Sequence, residues 1–445
     1  MGDMRPMGPM GLMRPMGLMR PMGLMRPMRP MRPMRPMGLM GLIGLMSLMS
    51  LMGLMGCSND EEATGKGKGQ GLTLTVVPCA QSFAEVEDGE DVANTRAWTP
   101  PSPYVLYESL NGQFVSQKNL TNNSIGVFFT KDGQSPKQAT FFHYMKNNED
   151  QWRVSLDELD ANSYYVYGFI PSEVVTTATI TGNENYSDGA VLTLHGIKTV
   201  TPNDVCVIVG AKEGDGPEDD ATGTGDDIKR IQPGQFAVTT KPSSKDGPID
   251  EYHNYIFLLF DHLYSAIRFN FTVDEKYDAL RTIRLRKLEM IAYTDDSKTK
   301  IKAKYTATVR IKANTTSTLP ITEVTFTPDA GSGNVVYEPL FNGEATLEHG
   351  EYTPFMGCFV PGQTTRFMLR STYDVYDKNL TDENENKGNL IRKDCMAENY
   401  ISLPSLFSLT ELARGHIYTV NLIVQPTYLN VLSEPDVENP KVVVN

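Results

Sequence analysis

At 445 residues the chain is long enough for about two domains of roughly 100–200 residues each. Its formal charge is −13; seven Arg and one Asp give the first 57 residues +6, so the remainder carries −19. So acidic a body excludes a nucleic-acid binder, which needs a basic footprint, and suits a solvated surface protein.

Residues 1–55 carry Met at every third position, with Ile43 the only exception. The triplets read Met-Arg-Pro, Met-Gly-Leu and Met-Ser-Leu, and such a tract has no means of building a core. After Arg32 and Arg35 comes an uncharged Leu/Met/Gly/Ser run that closes at Leu54-Met55-Gly56-Cys57. Basic residues, an apolar stretch and a small-residue site in that order make an export signal. A transmembrane anchor is the alternative for a run of this length, but the frequent Gly and Ser and the terminal Gly-Cys favour the signal. The Leu-x-Gly-Cys ending resembles the bacterial lipobox. That resemblance implies cleavage before Cys57 and acyl chains on its sulfur and new amino terminus. Residues 1–56 are therefore leader, and residues 57–71, rich in Gly and Lys, form a flexible linker.

From residue 72 onward the dominant signal is alternation, the period of a strand. Leu72, Leu74 and Val76 alternate with Thr73, Thr75 and Val77. Val205 to Val209 is apolar on both faces and predicts a central strand. Ile267, Phe269, Phe271 and Val273 alternate with polar residues. So do Ile301, Ala303, Tyr305, Ala307, Val309 and Ile311, whose opposite face is Lys302, Lys304, Thr306, Thr308, Arg310 and Lys312. That row of like charges is the kind that guards a sheet edge. Phe367 to Val375 and Tyr418 to Val424 repeat the pattern. Residues 275–290 fit a helix or a bulged strand equally well, and residues 405–413 suit a short helix. Many short strands between Gly, Pro, Asn and Asp turns predict an all-β antiparallel sandwich class. The polar stretch 241–251 places a boundary between an N-terminal sandwich, 72–245, and a C-terminal one, 246–426. Residues 427–445 are a tail. Tyr164 to Pro171 and Phe355 to Pro361 echo each other, as two similar halves would.

Few residues suggest chemistry. The six histidines are scattered, and no zinc-protease, nucleophile-elbow or phosphate-loop motif occurs. His262, after Asp261 in an apolar strand, reads as a structural histidine. The acidic stretch 215–227 does not match a calcium-loop spacing and reads as a solvated loop. Besides Cys57 there are Cys79, Cys206, Cys358 and Cys395, with no metal spacing among them. Four thiols allow three pairings, and four buried unpaired thiols are an equal alternative. Catalysis is the least supported class, and no cofactor or metal is expected.

Three stretches together resemble the fimbrillins, the pilins of Bacteroidales type V pili. One is Cys57, then a strand, then Asn94-Thr95-Arg96-Ala97. Another is Tyr165 to Pro171 with Phe260 to Phe271. The third is the ending, from Gly415 through Tyr428-Leu429-Asn430-Val431-Leu432 to Val442-Val443-Val444. Asp60-Glu61-Glu62 also resembles a surface-export signal of lipoproteins in that phylum. The resemblance implies two tandem transthyretin-like β-sandwich domains, anchoring to the outer membrane through lipid, and removal of an N-terminal strand by cleavage between Arg96 and Ala97. It further implies head-to-tail polymerisation with other fimbrial subunits by strand exchange. The tail supplies two apolar pieces around a turn: Tyr428, Leu429, Val431 and Leu432, then Val442, Val443 and Val444. These are the expected donor residues; the alternative is that the tail folds back on its own domain. The competing class is a monomeric surface lipoprotein that binds a host or bacterial glycan or protein.

Overall fold

The computed structural model describes residues 72–86, 102–103, 124–146, 149–156, 159–214, 231–241, 254–314, 320–378, 390–407, 412–425 and 441–444. Strands account for most of them. In chain order they are β1 (Leu72–Ala80), β2 (Ala84–Val86), β3 (Ser102–Pro103), β4 (Ser124–Thr130), β5 (Lys137–Lys146), β6 (Glu149–Leu156), β7 (Ser163–Ile170) and β8 (Thr177–Gly182). Then follow β9 (Gly189–Lys198), β10 (Val200–Thr201), β11 (Cys206–Gly214), β12 (Ala237–Thr239), β13 (Tyr255–His262), β14 (Ser265–Val273), β15 (Arg281–Tyr293) and β16 (Lys304–Lys312). The last are β17 (Ile321–Pro328), β18 (Glu338–Leu347), β19 (Thr353–Phe359), β20 (Arg366–Asp377), β21 (Leu390–Ser402), β22 (His416–Gln425) and β23 (Lys441–Val444). Two short helices, α1 (Glu275–Asp278) and α2 (Leu403–Phe407), interrupt them.

Four sheets bury two cores. A 9-stranded sheet runs β11-β13-β1-β6-β5-β4-β7-β12, with β3 beside β1. Because β11 also pairs with β7, through Cys206↔Ile170 and Val207↔Phe169, the pairing path closes on itself. This sheet and the 4-stranded sheet β17-β16-β9-β8 enclose the first core, which includes Leu74, Phe141, Tyr167, Leu192, Ile208, Phe257 and Val309. A 6-stranded sheet, β10-β19-β14-β22-β2 with β23 on β22, and a 4-stranded sheet, β18-β15-β20-β21, enclose the second core. Alternation on β14 joins the two: Ile267, Phe269, Phe271 and Val273 enter the second core, while Ala266 belongs to the first.

The all-β expectation holds, and Val207 to Val209 are buried on a strand paired on both sides. Strands after residue 245, namely β13, β16 and β17, contribute to the first core. Two expectations change. The charged row of residues 302–312 does not guard an edge: β16 lies between β9 and β17. Its Lys and Arg are on the outer face of an interior strand, where alternation alone puts them in water. Residues 281–293 are the bulged strand rather than a helix. Register shifts at Leu285/Lys287 let Leu285 and Leu288, three apart, both remain buried. Only Glu275–Asp278 is helical there, its start capped by Asp274, whose carboxylate accepts from the Lys276 and Tyr277 amides at 3.1 and 3.3 Å.

Close packing leaves β7 no freedom at Gly168. A Cβ there would lie 2.1 Å from the Gly126 carbonyl oxygen and 2.9 Å from Ile208 Cδ1. Backbone cannot step aside as a side chain can, so Gly168→Ala is expected to lower unfolding free energy by about 3 kcal/mol. Gly333→Ala, with nothing within 4 Å of the added carbon, should change it by less than about 0.5 kcal/mol. Urea unfolding of the two variants checks the contrast.

Candidate functional site

The segment Leu72–Val86 is the part of the described chain that the expected cleavage would remove. Its first strand is not peripheral. β1 runs parallel to β13, from Thr75↔Tyr255 to Ala80↔Phe260, and antiparallel to β6, from Leu72↔Leu156 to Val76↔Trp152. Both of its edges are therefore hydrogen-bonded, and Leu72, Leu74, Val76 and Cys79 are buried in the first core or beside it. The strand extends three residues beyond the Leu72 to Val77 alternation. Pro78 falls inside it, and alternation gives no sign of a strand continuing past a proline.

A second strand follows that the sequence did not announce. After Gln81 the segment leaves the nine-stranded sheet and crosses to the six-stranded one. The Gln81 amide donates to the Phe260 carbonyl at 3.1 Å and the Ala84 amide donates to the Gly415 carbonyl at 2.9 Å. β2 then runs parallel to β22, Ala84↔His416 to Val86↔Tyr418. Val86 enters the second core, and the Arg268 guanidinium grips both oxygens of Glu85 at 2.7 and 3.0 Å. One segment of fifteen residues, 72–86, thus has a seat in each of the two cores.

The crossing is held by side chains from β13 and from the loop before β22. His262 Nε2 lies 2.6 Å from the Gln81 carbonyl, and its ring stacks on Phe83 at 3.8 Å between centroids. Arg414 Nη1 donates to the buried Asp261 carboxylate at 2.7 Å and to the His262 carbonyl at 3.1 Å. The Gly415 amide donates to the Tyr264 carbonyl at 2.7 Å. Residues 414–415 therefore receive the segment on one side and hold the β13–β14 turn on the other.

β22 has two occupants on the edge facing away from β14. β2 covers its beginning, and β23 covers its end in antiparallel register, Leu422↔Val444 to Gln425↔Lys441. Val442, Val443 and Val444 thus pair with their own chain in this structure, which is the fold-back alternative. Cys57, Arg96, Ala97, Tyr428, Leu429, Val431 and Leu432 lie outside the described residues, as does the acidic stretch 215–227.

All four described cysteines, Cys79, Cys206, Cys358 and Cys395, are buried, and no disulfide joins any two of them. Burial, with the Asp204 carboxylate adding to it, pushes the Cys358 thiol well above the ordinary range. His262 is less ordinary than the sequence suggested. Antiparallel pairing of β11 with β13 sets Cys206 opposite it, and Asp204 joins the two from the loop before β11. His262 is 56 residues from Cys206 and 58 from Asp204 along the chain, so no spacing pattern signalled the three together. Among the described residues no helix is long and apolar enough to cross a membrane.

No family model and no curated protein matches the chain. Solved structures that resemble it are fimbrial and adhesion proteins of the Bacteroidales. A candidate cell adhesion protein from Bacteroides fragilis aligns over 84% of this chain and 96% of its own, with 9% identity and a TM-score of 0.36. The fimbrial anchor protein Mfa2 from Porphyromonas gingivalis aligns over 84% and 95%, with 9% identity and a TM-score of 0.27. A fimbrial protein from Bacteroides vulgatus aligns over 73% and 92%, with 12% identity and a TM-score of 0.26. At such scores the likeness assigns neither a membership nor an activity to this chain.

Proposed function

We propose that the chain is a structural, non-catalytic subunit of a surface fimbria. It is exported as a lipoprotein acylated at Cys57, cut between Arg96 and Ala97, and joined to the next copy by strand exchange. The observation that carries this reading is the position of β1. It is contributed by the segment ahead of Arg96, yet it is paired along both edges inside the largest sheet. Withdrawing it uncovers the facing edges of β6 and β13 and the apolar surface that met Leu72, Leu74 and Val76. At about 1.5–3 kcal/mol per large apolar side chain, that surface is worth on the order of 5–9 kcal/mol. A sheet so opened is satisfied by an added strand from another molecule. The same cut takes β2 from β22, beside the place where the tail is seated. A tail that leaves its own β22 and fills the neighbour's vacated groove makes a heterologous contact, and repetition of that contact grows an open filament.

The experiment is amino-terminal sequencing of chains recovered from surface filaments, with electron microscopy of cells with and without the gene. Filament-borne chains should begin at Ala97, and Arg96→Ala should leave the lipidated precursor at the membrane and remove the filaments. Chains that begin at Cys57 within filaments would rule the strand withdrawal out. The pairing of β23 with its own β22 favours a second reading, a closed monomeric lipoprotein that binds a surface glycan or protein. Cells that carry the chain but no filaments would select it.

A further inference from the structure

Three metal-ligating atoms converge in the interior beside the crossing. Asp204 Oδ2 lies 2.5 Å from His262 Nδ1 and 3.1 Å from Cys206 Sγ, and Cys206 Sγ lies 3.4 Å from His262 Nδ1. All three residues are buried, with Asp204 6%, Cys206 0% and His262 5% exposed. The tautomer of His262 follows from its other nitrogen. Nε2 faces the Gln81 carbonyl, which has no proton to give, so Nε2 carries the hydrogen. Nδ1 is then the nitrogen that faces the Asp204 carboxylate oxygen and the Cys206 sulfur. A ring N–H held by a backbone carbonyl is the outer contact that orients histidine ligands in metal centres. A second observation is independent of this. Asp204 Oδ1 is buried and has no hydrogen-bond partner among the described residues, and the same holds for Oδ1 of the adjacent Asn203. A carboxylate this deep with one oxygen unsatisfied is costly unless a cation answers it.

We propose that Asp204, Cys206 and His262 form a binding site for a divalent metal ion of the zinc class. His262 Nδ1 and Cys206 Sγ supply the nitrogen and sulfur, and Asp204 supplies a carboxylate oxygen; with three protein ligands the fourth position of the ion is left to a water. The donor set of one thiolate, one imidazole and one carboxylate is what a borderline-soft ion takes, whereas calcium and magnesium take oxygen alone. Binding releases the Cys206 thiol proton to solvent. The ion's two positive charges then meet one thiolate and one carboxylate, so the buried centre is neutral. Zinc bonds of roughly 2.0–2.3 Å, spread tetrahedrally, hold ligand atoms roughly 3.3–3.8 Å apart. Asp204 therefore moves outward by roughly 1 Å, which its loop between β10 and β11 permits and a strand position would not. The ion ties that loop and the start of β11 to the end of β13. It also fixes the ring on which Phe83 stacks and against which Gln81 is hydrogen-bonded, so metal and N-terminal segment stabilise each other's site. The site itself does not depend on the polymerisation reading.

The test uses the full chain, stripped with a chelator and dialysed against Zn²⁺ or Co²⁺. One equivalent of Zn²⁺ should bind per chain and raise the melting temperature. The Co²⁺ form should show a thiolate-to-metal charge-transfer band, which reports the sulfur directly. Cys206→Ser should abolish that band and weaken Zn²⁺ binding at least tenfold, whereas Cys395→Ser, in the second core, should change neither. Should Cys206→Ser fail to fold, the charge-transfer band of the unaltered chain decides. A folded chain that leaves dialysis free of both metals overturns the proposal, since a proton alone would then join Asp204 to His262. A cobalt band that persists in folded Cys206→Ser overturns it as well.

Discussion

A chain lacking residues 427–445 is expected to fold, to be exported and to remain monomeric, with filament extension abolished. The fold should survive because β22 does not need its last neighbour. Its other edge is a parallel ladder with β14 that runs unbroken from Ala266↔Ile417 to Val273↔Val424. Tyr418, Val420, Leu422 and Val424 are buried in the second core. β23 adds only 4 residues at the end of that strand. At roughly 1 kcal/mol per net backbone hydrogen bond, its loss costs about 2–3 kcal/mol. The groove left by β1 is larger on every count, and in the truncated chain nothing fills the neighbour's. The outcome is read by electron microscopy of cells and by the mass of the purified chain in solution. Filaments of ordinary length from the truncated chain would remove the tail as donor.

Replacing Cys57 with Ala should move the chain from the membrane fraction to the soluble one. Each buried methylene of an acyl chain contributes about 0.8 kcal/mol, so one chain holds marginally and several hold firmly. Without the sulfur none is attached, and the acidic body that follows has no other reason to stay at an anionic surface. The precursor should also keep its leader, which a shift in mass reveals. Unchanged fractionation of Cys57→Ala would mean that the apolar run ahead of it is itself the anchor. The order of events separates this variant from Arg96→Ala: the first never reaches the membrane, and the second never leaves it.

What alternation could reach and what it could not divide along physical lines. Apolar residues two apart identify a strand with one wet face, and they found β14, β16, β20 and β22 with nearly their observed limits. A doubled apolar run found β11 as an interior strand, and a step of three between Leu285 and Leu288 was compatible with the bulge that β15 contains. All of these are properties of one short stretch of chain and its own side chains. Pairing is not. Nothing between Lys302 and Lys312 says whether β16 has one neighbour or two, because outer-face lysines are solvated in either case. The chain between residues 241 and 251 has the composition of a linker, yet β13 beyond it returns to lie beside β1, since the two strands bury a common apolar surface. β2 is too short for any period to show, and its place on β22 depends on the crossing that Gln81 and Phe83 make over His262. Asp204, Cys206 and His262 are the plainest case. None of them alone carries a ligand signal, and only the register of β11 on β13 brings a carboxylate, a thiol and an imidazole within 3.4 Å.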